Sequence, residues 1–423
     1  MTEPAPARPD GEQTGAQTGV RTGVQTGAET NRSVLLLSLA CCASMMSQRI
    51  CDAMLPELSR QFDTTLAAAA QVVSLFAVTY GLAQFFYGAL GDRHGKFRVV
   101  TYTTLACGLG NALAVLAGSL EALVMARVVA AAFAAAIIPM SLAWTGDAVP
   151  YQRRQETLAR VGLGTTSGIF TGQLLGGLLS DTVGWRWAFV VMTVLFLAVG
   201  WLLYRNWQAQ QRSGTLKPVS DPSAPGMVEQ TVALMRQSWV RKIIGLGVLQ
   251  GAGGFGMLAI VASHLHLQHG LSLSSAASVV SPMGLGGVLY MVVARHVIRL
   301  LGERGMVLVG GIGVALALLA VAWSPSWPAI ALSMLLGGFA FFMLHNTLQT
   351  LATQMAPESR GMAVSLFATA LFMGQALGVL LASSLMDPLG SSVVISGGAL
   401  VMAGVGLTLH VQLRKRHRLA AKA

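Results

Sequence analysis

Gly88-Ala-Leu-Gly91-Asp92-Arg93-His-Gly95-Lys96 is a short, basic, glycine-rich joint between two apolar runs, about 66–90 before it and 98–118 after it. Its glycines permit a tight turn. Each flanking run is near the ~20 apolar residues that a helix needs to cross a bilayer. A joint of the same kind, Arg299-Leu-Leu-Gly302-Glu303-Arg304-Gly305, lies 211 residues further on. Outward from these, Pro150-Tyr-Gln-Arg153 is echoed by Pro357-Glu-Ser-Arg360, and Gly172-Gln173-Leu-Leu-Gly176 by Gly374-Gln375-Ala-Leu-Gly378, at offsets of 207 and 202 residues. Three landmarks that recur in order at nearly one spacing mark a duplication.

The rest of the chain fits the same plan. Twelve apolar stretches fall at about 34–55, 66–90, 98–118, 121–145, 157–180, 185–204, 241–264, 273–296, 305–323, 327–350, 361–386 and 391–412. Of 423 residues, 54% are hydrophobic and 11% charged, less than half the charged share of an average soluble domain. Too few polar groups remain to cover a water-facing surface, which excludes a soluble enzyme. The expected fold is an all-α membrane protein, with twelve transmembrane helices in two pseudo-symmetric six-helix bundles. The expected division is a disordered tail at 1–32, an N-terminal bundle at 33–204, a linker at 205–240, a C-terminal bundle at 241–412 and a basic tail at 413–423. The first tail repeats a Gly/Thr/Gln beat that cannot bury enough apolar surface to order itself.

The net charge of +11 invites a nucleic-acid reading that the positions of the charges do not support. Alternate joints and both tails hold 24 of the 28 basic residues. By the positive-inside rule both termini are expected in the cytoplasm, and nucleic acid is not an expected partner. Cys41, Cys42, Cys51 and Cys107 lie inside apolar runs without metal-ligand spacing, so they read as small packing residues and no metal is expected. No nucleotide-binding loop or nucleophile–base arrangement is visible. The chain is therefore read as neither an enzyme nor a cofactor binder.

Gly88 to Lys96, followed by Arg98, resembles the signature loop between helices 2 and 3 of the major facilitator superfamily. Gly164, Gly168, Gly172 and Gly176 resemble the glycine-rich helix 5 motif of its antiporter branch, with Gln173 where that motif has proline. Arg127 stands where the family's helix 4 arginine motif begins. Asp52 and Pro56 are similar to the ending of helix 1 in bacterial drug/proton antiporters. The resemblance implies two parallel six-helix repeats with a substrate site between them, lined in part by helices 1 and 4. It also implies that the Gly88, Gly91, Asp92, Arg93, Gly95 and Lys96 loop closes the cytoplasmic side. Physically, Asp92 can accept free N–H groups at a helix start, near Ser359–Gly361. The helix 5 glycines, at a spacing of four, read as a packing face.

Charges at membrane depth are costly and mark function by default. Arg49 and Asp52, three apart, share a helix face. Asp52 is the carboxylate able to pair with Arg49 or Arg127 and to exchange a proton, and His345 competes for that role. Gln250, His345, Asn346, Gln173, Gln375 and Phe342 are the candidates for the substrate cavity. His264, His266 and His269 read as loop groups at the end of helix 7. The leading reading is secondary active transport of a small amphipathic molecule across a bacterial inner membrane by a monomer, as proton-coupled export. An importer or uniporter of a specific metabolite is the rival within transport. A membrane-embedded sensor or enzyme is the rival outside it, though the loops are too short for a signalling domain.

Overall fold

The computed structural model describes residues 27–149, 151–212, 227–356 and 360–420. Residues 1–26 of the first tail, residues 213–226 of the linker and the end of the second tail at 421–423 lie outside this set. Among the described residues there is no strand. Helices are what a lipid-embedded chain requires, because they satisfy every backbone N–H and C=O within the segment. Nine helical stretches among the described residues are long and apolar enough to cross a membrane. One of them, 273–323, is two spans that part at Gly302, where φ is 58°. With Lys96–Val115 and Tyr151–Thr182, helices of 20 and 32 residues outside those nine, the described residues hold twelve long helices.

In the first half, helix 1 is Gly27–Arg49, carried on through the 3-10 turn Asp52–Met54 into Leu55–Gln61. Helix 2 is Gln71–His94, preceded by a turn at Leu66–Ala69. Helix 3 is Lys96–Val115, helix 4 Leu120–Ala148, helix 5 Tyr151–Thr182 and helix 6 Trp185–Arg212. Helix 1 thus begins inside the segment read as a tail. Helix 6 continues into the segment read as a linker, and Met227–Arg236 forms a short helix there. In the second half, helix 7 is Ser238–Gln250, a π-helical turn at Gly251–Gly256, then Met257–His269. Helix 8 is Leu273–Val280 followed by 282–301, and helix 9 is 303–323. Helix 10 is Trp327–Gln354, helix 11 Arg360–Leu389 and helix 12 Ser391–Ala420, so the basic tail is largely helical.

Two buried apolar cores form, one mainly in each half, and each takes a few residues from the other half. Outside these cores the surface stays apolar: Leu116, Leu300 and Leu400 are 79%, 83% and 75% exposed. Water does not tolerate so extended an apolar surface, and hydrocarbon accepts it. Among the described residues, the alternate joints that hold Arg93, Lys96, Arg153, Arg299, Arg304 and Arg360 lie on one side, called here the basic end; the opposite side is the far end.

The glycines show how the repeat packs. A Cβ on Gly164, Gly168, Gly172 or Gly176 would run into the backbone of Ser38, Cys42, Met46 or Ile50, so helix 5 lies against helix 1 in a register that advances four by four. In the second half Gly374 and Gly378 of helix 11 meet Val248 and Ala252 of helix 7 in the same way. All six pairs are 126 residues apart. The same helix pair is therefore built twice, with a glycine on one side of each contact letting the backbones approach, as close packing in lipid demands.

The halves meet along helices 2 and 11, where Thr369 Oγ1 donates to the Gly81 carbonyl at 2.8 Å and Phe372 lies against Tyr80 at 4.6 Å between ring centres. They also meet along helices 5 and 8, where Phe170 fills the space beside Gly284. Lys96, at the start of helix 3, pairs with Asp147 at the end of helix 4 at 2.6 Å. Gly95, with φ 87°, makes the turn that precedes it. Gly91 is buried against Met140, whereas Arg93 is exposed. The side chain of Asp92 and residues 357–359 lie outside the described set, and with them the expected contact between the two.

Candidate functional site

Helix 1 breaks at Asp52 because of Pro56. In a continuous helix the proline ring would clash with the carbonyl four residues earlier, that of Asp52 itself. The chain takes a 3-10 turn instead and restarts with Pro56 in the first turn of Leu55–Gln61. Arg49, the last residue before the break, and Asp52, the first after it, are both fully buried. Arg49 Nη1 lies 3.3 Å from Asp52 Oδ2. The sequence left Asp52 a choice between two arginines, and the ion pair is to Arg49.

Arg49 also reaches the other half. The same Nη1 donates to the Phe255 carbonyl at 3.3 Å, and the guanidinium lies 4.4 Å from the centre of the Phe255 ring. Phe255 belongs to the π-helical turn Gly251–Gly256 of helix 7. A π turn disturbs the regular i to i−4 ladder, and here one of its carbonyls takes a donor from across the interface. The glycines allow this turn to press on helix 11: a Cβ on Gly256 would fall 2.9 Å from Gly378 Cα.

Gln173 completes the carboxylate's surroundings, with Nε2 donating to Asp52 Oδ2 at 3.5 Å. It is 1% exposed, buried like Gln250 at 0%. Its counterpart in the repeat, Gln375, is equally buried and accepts from Gln48 Nε2 at 3.5 Å. Arg127 is 1% exposed and is held by the Ser47 hydroxyl at 3.2 Å and the face of the Phe76 ring at 3.9 Å. Among the described residues, Nε and Nη2 of both arginines and Oδ1 of Asp52 lack hydrogen-bond partners. Two buried cations against one buried anion, incompletely bonded, are costly to keep. Such an arrangement is a reason to look for function.

The second cluster stands on helix 10. His345 is half-buried, and its Nδ1 is 3.4 Å from Gln250 Oε1 on helix 7. It stacks on Phe341, with ring centres 5.6 Å apart and planes at 8°, and Phe255, Phe342 and Phe367 stand 6.2–6.3 Å away. Asn346, also half-buried, interacts with the Tyr290 hydroxyl. Phe255 touches both clusters, so the charged site of the first half and the aromatic site of the second are continuous.

Phe255, Phe76, Ser47, Gln48 and Phe367 escaped sequence reading. The run Gly-Ala-Gly-Gly-Phe-Gly at 251–256 was the available signal for the π turn. Nothing in the order of residues says which arginine a ring from another helix will cover. His264 is a correction. It is 1% exposed, with Nδ1 2.7 Å from Ser391 Oγ and Nε2 3.2 Å from the Val321 carbonyl, and so it ties helix 7 to helices 9 and 12. The apolar run expected at 241–264 already reaches His264, and packing against helices 9 and 12 turns its ring inside. The four cysteines are free, and no metal-ligand group occurs among the described residues.

Comparison with known proteins bears on this site. The sequence profile of the Major Facilitator Superfamily matches residues 37–379 and 297–422. An uncharacterized transporter of that type from Bacillus subtilis, YwfA, is 21% identical over 90% of this chain and 92% of its own. The multidrug export protein EmrB of Haemophilus influenzae is 27% identical over 39% of this chain and 32% of its own length, so the match spans about a third of that relative. The quinolone resistance protein NorB of Staphylococcus aureus is 24% identical over 38% of this chain and 35% of its own. Two solved structures share the fold. A bacterial homologue of the human lysosomal transporter Spinster, inward-facing and unoccupied, gives a TM-score of 0.70 at 16% identity and covers 92% of this chain and 96% of that one. The human organic anion transporter MFSD10 gives 0.67 at 15%, covering 90% and 99%.

Proposed function

This chain belongs to the Major Facilitator Superfamily, and from that premise we propose that it exports a small amphipathic molecule in exchange for protons, with Asp52 as the coupling carboxylate. The observation that carries the reading is the fully buried Arg49–Asp52 pair, whose arginine also holds the Phe255 carbonyl of the other half. Moving a substrate uphill without ATP requires a group whose protonation differs between the two facing states. A carboxylate does this when burial and a movable arginine pull its proton affinity in opposite directions. In this mechanism a proton on Asp52 removes the ion pair and frees Arg49. The hold of helix 1 on helix 7 then changes with it.

Export is supported by the names of two partial relatives, a multidrug export protein and a quinolone resistance protein. The substrate's body would lie against His345, Phe341, Phe342 and Phe367, with Gln250 and Asn346 as its polar contacts. The protein is read as a monomer in a bacterial inner membrane, with both termini cytoplasmic, so that the basic end faces the cytoplasm. Asp52→Asn should abolish gradient-driven accumulation in inverted vesicles while substrate binding survives. If the Asn variant still concentrates substrate, Asp52 is structural and His345 becomes the coupling candidate.

A further inference from the structure

We propose that Asp181 is a reversible latch that holds the far ends of the two halves together, built from the same local pattern as the joint between helices 2 and 3. The end of helix 5 reads Gly177-Leu-Leu179-Ser-Asp181-Thr-Val-Gly184. It matches Gly88-Ala-Leu90-Gly-Asp92-Arg-His-Gly95 in its Gly, Leu, Asp and Gly, at equal spacing and 89 residues apart. The last glycine does the same work in both. Gly95 ends helix 2 at φ 87° and Gly184 ends helix 5 at φ 99°, a conformation open to glycine at no steric cost.

At the end of helix 5 the role of the aspartate is visible. The first turn of helix 8 has backbone N–H groups with no partner inside the helix. Its own Ser272 Oγ accepts from the Ser275 N–H at 3.2 Å. The Leu273 and Ser274 N–H groups donate instead to the two carboxylate oxygens of Asp181, at 3.2 and 2.6 Å. A carboxylate of the first half thus caps a helix of the second. One turn earlier Gly177 brings the helices together, since a Cβ there would stand 2.5 Å from Ala277 Cβ and from the Leu273 carbonyl. Partial burial raises the proton affinity of Asp181, and the hydrogen bonds from Ser274, Ser272 and Leu273 lower it by more. The group is therefore held below the ordinary carboxylate range and charged. Because Asp181 is exposed and Ser274 only half-buried, water can take over both sides of the contact when it breaks. The contact biases the far-end-closed state and does not lock it.

This inference rests on alternating access, common to the fold, and not on the substrate or the coupling ion. Cys51, 0% exposed and next to Asp52, supplies the reporter. With Cys41, Cys42 and Cys107 replaced by alanine, a membrane-impermeant maleimide applied from the far side reads the opening of that end. A carboxylate at a helix start biases an equilibrium by roughly 2- to 30-fold. Asp181→Asn should raise the far-side labelling rate within that range. Ser274→Pro, which removes the shorter bond from the opposite partner and suits a helix's first turn, should raise it as well. Glu121→Gln, at the same end on helix 4, should leave it unchanged. Labelling of both Asp181→Asn and Ser274→Pro at the unsubstituted rate would overturn the proposal. So would an equal rise in Glu121→Gln.

Discussion

Arg49 and Asp52 are the residues on which the reading turns, and their energetics can be tested apart from transport. Breaking a buried pair by removing one partner costs about 3–5 kcal/mol, because the survivor remains charged and desolvated. Arg49→Gln should therefore lower the thermal midpoint in detergent clearly, and Arg49→Gln/Asp52→Asn should recover much of the loss. A double variant no better than the single would mean that Asp52 had re-paired with Arg127, which has a free Nε and Nη2. At this scale the sequence showed a good deal. Spacing of three put Arg49 and Asp52 on one face, and Pro56 marked the break that seats Asp52. Gln173 stands where the antiporter motif has proline, and its hydrogen bond to Asp52 gives that departure a physical meaning. The Phe255 carbonyl and the Phe76 ring were not legible, because each comes from another helix and depends on register across an interface.

Element by element, the twelve spans could be read from apolar length alone, since the bilayer imposes that length. Their ends could not, because nothing in the bilayer's demand says where a helix continues into water: helix 6 runs to Arg212 and helix 12 to Ala420. The glycine faces were legible as faces but not as partners. That helix 5 uses its glycines on helix 1 and helix 11 repeats this on helix 7 emerges only from the contacts. The register makes a sharp prediction. A Cβ on Gly172 would lie 2.7 Å from the Met46 carbonyl, which is backbone and cannot turn aside. Gly172→Val should cost at least about 1–3 kcal/mol by overpacking and lower the yield of folded protein on size-exclusion chromatography. Gly397→Val, at an exposed position of helix 12 with nothing within 4 Å, should behave like the unsubstituted protein. Equal losses in the two would mean that β-branching in the helix, and not the contact with helix 1, sets the cost.

For the whole molecule, the distribution of charge sets what can be carried. The basic residues at the helix ends are read through the positive-inside rule and not as a substrate site; the buried ones bear on the substrate. Arg49, Arg127 and Asp52 leave the charged cluster at +1 with Asp52 ionised and at +2 with it protonated. The neighbouring surface of Gln250, Asn346 and four phenylalanines carries no formal charge to offset this. A cationic centre held ~5 Å from an uncompensated guanidinium is repelled by about 3 kcal/mol at an effective dielectric of ~20. That is more than a hundredfold in affinity, and a second positive centre adds to it. An aromatic body with a neutral or anionic head meets no such penalty: the rings around His345 receive the body, and the arginine N–H groups receive the head. Neutral and anionic amphiphiles should therefore be exported in preference to dicationic dyes. A panel matched in size and hydrophobicity but differing in charge, assayed by efflux from energised cells, would measure the order. If dicationic dyes prove the best substrates, the buried arginines are shielded from the transport path, and the substrate passes along the aromatic face of helix 10 without meeting them.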